Sequence, residues 1–159
     1  MTEHERTTRI AAPLETVWSF HLRPQNLLAV TPRWLNLQVN DVDHPGMNHD
    51  QARLREGSII TLSARPFDVG TRREISVRVT SCRKDDHGAT LVDELVEGPI
   101  PRWRHVHRFV ADDSETILTD RIRVDPPDTA FDDVIGPMTR AGLGLALAYR
   151  HFRTRKLLG

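Results

Sequence analysis

The chain has 159 residues, of which 38% are hydrophobic and 28% are charged, as is typical of a single soluble globular domain. Its 22 basic and 22 acidic residues cancel, which argues against nucleic acid or a charged membrane surface as a partner. The single cysteine excludes an internal disulfide and a cysteine-rich zinc site.

The first residues, MTEHERTT, are polar and do not have the pattern of a secretory signal. No run approaches the roughly 18 apolar residues of a membrane span. No glycine fingerprint for a dinucleotide follows a predicted strand, so we expect no cofactor. These features favour a cytoplasmic location.

The first part of the chain predicts one strand and two short helices. Residues 3–10 alternate weakly and end just before Pro13, which suits the first turn of a helix. Apolar residues at helical spacing then extend over residues 14–22, and Pro24 starts a second helix that ends near Val30. His21 lies on the apolar face of the first helix, where a lone histidine is more often a core residue than a ligand.

Three strands are predicted next, at residues 35–42, 58–67 and 72–83. The segment 43–56 between the first two strands is long for a hairpin connection. It is either a functional loop or a flexible one. Its His44 and His49 match no metal-ligand spacing, so we expect them to be structural or solvated.

Residues 91–124 divide into three further strands, separated by the turn signals GPIP and DDSE. Pairing Glu97 with Trp103 across the first turn sets Asp93 opposite His107. A turn at residues 112–115 sets His107 opposite Asp120. Side chains alternate along a strand, so a mixed polar and apolar face results, opposite a face of arginines. The mixed face holds Asp93, Leu95, Trp103, His105, His107, Asp120 and Ile122.

Two interpretations of this face remain open. A mostly apolar surface with a few placed polar groups is typical of the lining of a ligand cavity. The row Asp93–His107–Asp120 is equally compatible with an internal ion triad that only stabilises the fold.

The tail from residue 129 to 158 has a helical period after Pro126-Pro127 ends the sheet. Gly136-Pro137 predicts a kink or a break. Small residues at 142, 144, 146 and 148 either let the helix pack closely against the sheet or leave space for a ligand. Basic residues in the last turns complement the negative end of the helix. The predicted buried face comprises Phe131, Val134, Ile135, Met138, Gly142, Leu145, Tyr149 and Phe152, of which we expect Met138 and Leu145 to contact a ligand.

The order of these elements, and three stretches of sequence, resemble the START and polyketide-cyclase (SRPBCC, helix-grip) superfamily. The stretches are AAPLETVWSFHLRPQNLLAVTPRW, VDELVEGPIPRWRHVHRF and TILTDRIRVDPP. The nearest resemblance is to small stand-alone cyclase/dehydrase-like ligand-binding proteins. It implies one α+β domain over residues 1–159, in which an antiparallel sheet grips a long C-terminal helix and an apolar molecule occupies the gap.

The resemblance leaves the function open, because one fold serves several functions. The first hypothesis is a non-catalytic protein that binds or carries a small apolar molecule, such as a lipid, a quinone or a polyketide-like compound. The second is a cyclase, dehydratase or hydrolase with a histidine base. In that case His105, with its apolar neighbours, is a better base than His107, which two carboxylates keep charged.

Two further possibilities have less support. An interaction domain that uses the 43–56 loop rests only on the length of that loop. Zinc at His105 and His107 with a carboxylate is geometrically allowed on a strand, but we do not expect a metal from the sequence. The oligomeric state stays open.

Overall fold

The structure is a computed structural model that describes residues 2–44, 46, 53–125 and 132–159, with the side chains of 132–139 left out. Three helices and seven strands follow one another in the predicted order. The helices are α1 (Leu14–His21), α2 (Asn26–Ala29) and α3 (Asp132–Leu158). The strands are β1 (Thr2–Ile10), β2 (Gln38–Asp43), β3 (Ile59–Ala64), β4 (Arg73–Lys84), β5 (Gly88–Glu97), β6 (Arg102–Asp112) and β7 (Glu115–Asp125).

The strands form one antiparallel sheet in the order β1-β7-β6-β5-β4-β3-β2. Strands β2 to β7 are therefore a meander, and β1 closes the sheet beside β7. Residues alternate between buried and exposed along β7, with Asp120 and Ile122 inside and Arg121 and Arg123 outside. The predicted helix-grip architecture is confirmed.

The predicted register of β6 and β7 is confirmed, but that of β5 and β6 is wrong by two residues. His107 pairs with Asp120 as expected. Across β5 and β6, however, Asp93 pairs with His105, and pairing ends at Glu94 and Arg104. Pro99 and Pro101 in the connection have no backbone N–H to donate, so the ladder does not extend to a tight turn. A shift by two keeps every side chain on its predicted face.

The core lies between the inner face of the sheet and α1. Val17, Trp18 and His21 of α1 are buried at the helical spacing predicted for this segment. Trp18 meets Phe109 of β6 edge to face, with 5.3 Å between the ring centroids. This contact holds α1 over the centre of the sheet.

Helix α3 is continuous through Gly136-Pro137, so the predicted break there is wrong. The predicted buried face is also wrong, because Leu145 is 60% exposed and Phe152 is 58% exposed. Leu147, His151 and Thr154 are buried instead. Polar side chains on the inner face explain the error, since the apolar period alone does not reveal them. The side chains of Val134, Ile135 and Met138, and all of Phe131, lie outside the described residues.

The segment that precedes β3 is described only in part. His44 is buried, and its Nδ1 lies 2.8 Å from the hydroxyl of Ser58, so it is a structural residue. His49 lies outside the described residues. Strand β2 begins at Gln38 rather than at residue 35, because residues 33–35 form a 3₁₀ turn after Pro32.

Candidate functional site

A cavity of about 120 Å³ lies between the sheet, the α1–α2 segment and α3. It is smaller than the 300–1,000 Å³ of sites for drug-sized ligands, and close to the size of a cavity that binds one benzene ring. One part of its wall is apolar and the other carries polar groups. The apolar part includes Phe20, Leu27, Val30, Leu54, Ile60, Leu62, Ile75, Val77 and Leu91, and the polar part includes His21, Asp93, Trp103, His105, His107 and Arg150.

Asp120 of β7 lies behind the polar part and is fully buried. Its Oδ1 is 3.0 Å from Nε2 of His105 and 2.5 Å from Nδ1 of His107, both on the neighbouring strand β6. Its Oδ2 is 2.7 Å from Nε2 of His151 and 3.5 Å from Nε of Arg150, both on α3. One carboxylate therefore joins two imidazoles of the sheet to two basic groups of the helix.

Asp93 of β5 continues this network into the cavity. Trp103 Nε1 donates to Asp93 Oδ1 over 3.0 Å, and His107 Nε2 lies 3.2 Å from Asp93 Oδ2. His107 therefore bridges the two carboxylates of the predicted row. The contact with Asp93 is diagonal across the ladder rather than direct, as the corrected register requires.

The surroundings set different protonation states for the two histidines of β6. Burial alone lowers the pKa of His107, but the charge of Asp120 and hydrogen bonds to Asp120 and Asp93 raise it overall. Burial and the charge of His107 lower the pKa of His105. Burial opposes ionisation of Asp120, yet His107 and Arg150 hold its pKa well below the usual value.

His21 adds a polar group that the sequence predicts to be a core residue. It does pack in the core, with its ring centroid 5.0 Å from that of Phe109, but it also lines the cavity. Nδ1 donates to the backbone oxygen of Val17 over 2.8 Å, so Nε2 is the acceptor nitrogen. That Nε2 is buried and has no hydrogen-bond partner among the described residues. Burial, followed by the charge of Arg150, lowers the pKa of His21 to about 3.

Four of the predicted site residues line the cavity, namely Asp93, Trp103, His105 and His107. Asp120 and Ile122 are buried behind them. Leu95 is half-buried and lies in the wall of a different surface depression, and Leu145 is exposed. The side chain of Met138 is not described.

Besides the cavity-lining role of His21, sequence reasoning missed Arg150 and His151 of the candidate site. The basic residues near the end of α3 were expected to complement the helix dipole only. Arg150 is nevertheless mostly buried, with 13% of its side chain exposed, and it reaches both Asp120 and the cavity. The spacing of Leu147, His151, Thr154 and Leu158 is a helical period that identifies this face once polar residues are allowed in it.

Some of these groups have the chemistry of metal ligands. Asp93, His105 and His107 each offer one ligand atom, and the three atoms lie within 4.8 Å of one another. Among the described residues, no helix combines the length and the apolar character that crossing a membrane requires.

Solved structures with the same fold support this architecture. The aromatase/cyclase ZhuI from Streptomyces sp. R1128 is 13% identical with a TM-score of 0.69, over 99% of this chain and 93% of its own. A START superfamily protein from Mycobacterium smegmatis is 15% identical with a TM-score of 0.60, over 98% and 96%. A nucleoside-diphosphate sugar epimerase from Corynebacterium glutamicum is 21% identical with a TM-score of 0.63, over 96% of this chain and 28% of its own.

No curated protein matches the chain. A family model described as polyketide cyclase/dehydrase and lipid transport matches residues 10–142, which is most of the sequence. The seven-stranded sheet, the two short helices after β1 and the long terminal helix agree with that match. The chain belongs to the polyketide cyclase/dehydrase and lipid transport family.

Proposed function

We propose that the protein binds or carries a small apolar molecule, of the lipid, quinone or polyketide-like class, in the cavity between the sheet and the helices. The observation that supports this most directly is a mostly apolar cavity lined by His21, whose buried Nε2 has no hydrogen-bond partner in the described part of the chain. A buried polar atom that makes no hydrogen bond destabilises the fold by about 1–3 kcal/mol, and a ligand that donates a hydrogen bond to it removes that cost. We expect this binding to take place in the cytoplasm.

The apolar wall sets the kind of molecule that fits. Side chains from β3, β4, β5 and α2 contribute it, among them Ile60, Val77, Leu91 and Leu27. Transfer of a ring-sized molecule from water to such a wall is favourable at about 25 cal/mol per Å² of apolar surface buried. The volume of about 120 Å³ suits a single ring or a short branched chain as the buried part of the ligand.

The polar groups set the functional group of the ligand. Nε2 of His21 only accepts a hydrogen bond while the ring is neutral, and the carboxylate of Asp93 also accepts. Arg150 only donates. A hydroxyl group, which donates and accepts at once, satisfies His21 and Arg150 together, so we expect the ligand to carry one.

An enzyme of the cyclase or dehydratase type is the second candidate, and the state of His105 favours it. The lowered pKa keeps this cavity-lining imidazole neutral near pH 7, as a general base requires. Its Nε2 donates to Asp120, which leaves Nδ1 as the basic nitrogen. The raised pKa of His107 lets it hold its proton to a higher pH than His105 does, so it suits the role of an acid better than that of a base.

Native mass spectrometry of the full chain from its own host distinguishes the two candidates. Binding without catalysis predicts a co-purified apolar molecule that returns unchanged after incubation. Catalysis predicts conversion of that molecule, and loss of the conversion in His105→Ala. Purified protein that carries no apolar molecule and binds none when offered a series of them contradicts both.

The position of the ligand is tested by filling the cavity from α2. Leu27 lines the cavity, whereas its neighbour Leu28 is 45% exposed. We expect Leu27→Trp to weaken the binding of toluene, followed by NMR chemical shifts, by about tenfold or more, because the indole occupies the space of the ring. Leu28→Trp is the matched control and is expected to leave binding unchanged. Equal effects of the two substitutions would place the ligand elsewhere.

The role of His21 is tested with phenol and toluene, which have nearly the same shape and differ in one hydroxyl group. We expect His21→Leu to lower the ratio of phenol affinity to toluene affinity by about tenfold, since the hydroxyl loses a buried acceptor. Toluene affinity by itself serves as the control for the shape of the cavity. An unchanged ratio contradicts the proposed contact.

The pH dependence of stability gives an independent test of the neutral state of His21. The unfolded chain takes up a proton on this residue near its ordinary pKa of 6.5, whereas the folded chain does so only near about 3. Stability is therefore lost as the pH falls through 6.5, and the loss from His21 reaches about 2 kcal/mol between about pH 7.5 and about pH 5. Urea unfolding is expected to show this extra loss in the wild type and not in His21→Leu. Parallel curves for the two proteins would show that His21 titrates normally.

A further inference from the structure

We propose that Asp93, His105 and His107 form a binding site for one divalent transition-metal ion, of which Zn²⁺ is the type case, at the polar end of the cavity. The inference rests on the positions of these donors and is independent of which apolar molecule the cavity takes. It revises the expectation from the sequence that no metal is bound.

The backbone brings the three donors together. His105 and His107 are two residues apart on β6 and share one face of the sheet, and their ring centroids are 3.7 Å apart. Asp93 lies directly opposite His105 on β5. Nε2 of His107 and Oδ2 of Asp93 are 3.2 Å apart. This distance is close to the separation of about 3.3 Å between two ligand atoms of a tetrahedral zinc ion whose bonds are about 2.0 Å long.

Outer groups orient each donor as they do in protein metal sites. Asp120 contacts Nδ1 of His107 and Nε2 of His105, so each imidazole keeps its second nitrogen for another partner. A carboxylate behind a ligating histidine is the usual arrangement around bound metals. Trp103 holds Oδ1 of Asp93 in the same way, and Oδ2 remains the oxygen next to His107.

The buried charges accommodate a cation. A ligating histidine must lose its proton, so the charge is counted with both imidazoles neutral. The two carboxylates Asp93 and Asp120 then carry two negative charges, and Arg150 supplies one positive charge at 3.5 Å from Asp120. One negative charge is left among the buried groups of this cluster. Arg23, which also lines the cavity, is exposed and therefore screened by water.

The composition of the site indicates which ions it takes and what they do. Two imidazoles and one carboxylate suit Zn²⁺ or Fe²⁺ better than Mg²⁺ or Ca²⁺, which prefer oxygen ligands. Three protein ligands also leave at least one coordination position free, as in catalytic rather than structural zinc sites. Because all three donors line the cavity, that position is accessible to water or to the oxygen of a ligand.

Metal titration of the full chain after chelator treatment tests the site. We expect calorimetry with Zn²⁺ to give one ion per chain, and Co²⁺ to give the intense visible absorption of a four- or five-coordinate ion. Asp93→Asn is expected to weaken binding at least tenfold, while its amide oxygen still accepts from Trp103. His87→Ala, which removes an exposed histidine in the β4–β5 turn, is the control and is expected to change nothing.

The proposal is overturned if the wild type binds no Zn²⁺, or if Asp93→Asn binds it as tightly as the wild type does. Thermal unfolding of the metal-free variants verifies that they fold, and His105→Gln replaces Asp93→Asn should the latter fail to fold. Failure of metal binding leaves the toluene and phenol measurements unaffected. The metal site and the apolar-ligand site are therefore tested independently.

Discussion

The carboxylate of Asp120 is the group on which the arrangement of this molecule depends. It is fully buried on β7, where an unpaired charge would destabilise the fold strongly. Two imidazoles from β6 and two basic groups from α3 surround it within 3.5 Å. Apolar packing alone holds a helix on a sheet with little preference for its exact rotation. These directional contacts select the face of α3 that carries Arg150 and His151.

The same carboxylate explains why the cavity has one polar end. By contacting one nitrogen of His105 and one of His107, Asp120 leaves their other nitrogens near Asp93 and the cavity. Apolar side chains, mostly from β3, β4, β5 and α2, supply the rest of the wall. A ligand site of this kind is largely formed before binding, so little ordering opposes the binding of a small molecule. The stabilising network and the candidate site therefore share residues, and the two interpretations of the Asp93–His107–Asp120 row are not exclusive.

The sequence predicts the order of elements, the faces of the strands and the β6–β7 register, because a short turn and strict alternation determine them. It does not predict the β5–β6 register, since the two prolines of the connection cannot donate to the ladder and pairing ends at Glu94 and Arg104. It also selects the wrong face of α3. Hydropathy places Leu145 inside and does not select His151, whereas the structure exposes Leu145 and buries His151 against Asp120. That Nε2 of His21 has no partner among the residues described is equally a tertiary property, because only packing shows which polar atoms lack a partner.

The free energy of unfolding of Asp120→Asn, measured in urea, tests this account most directly. The substitution keeps the shape of the side chain but leaves Arg150 and the imidazoles without their counter-charge. We predict a loss of about 3–5 kcal/mol, as is usual when one partner of a buried ion pair is removed. Glu94→Gln, which breaks an exposed pair with Arg104, is the control, with an expected change of less than about 1 kcal/mol. A loss in Asp120→Asn no larger than in this control would contradict the central role given to Asp120.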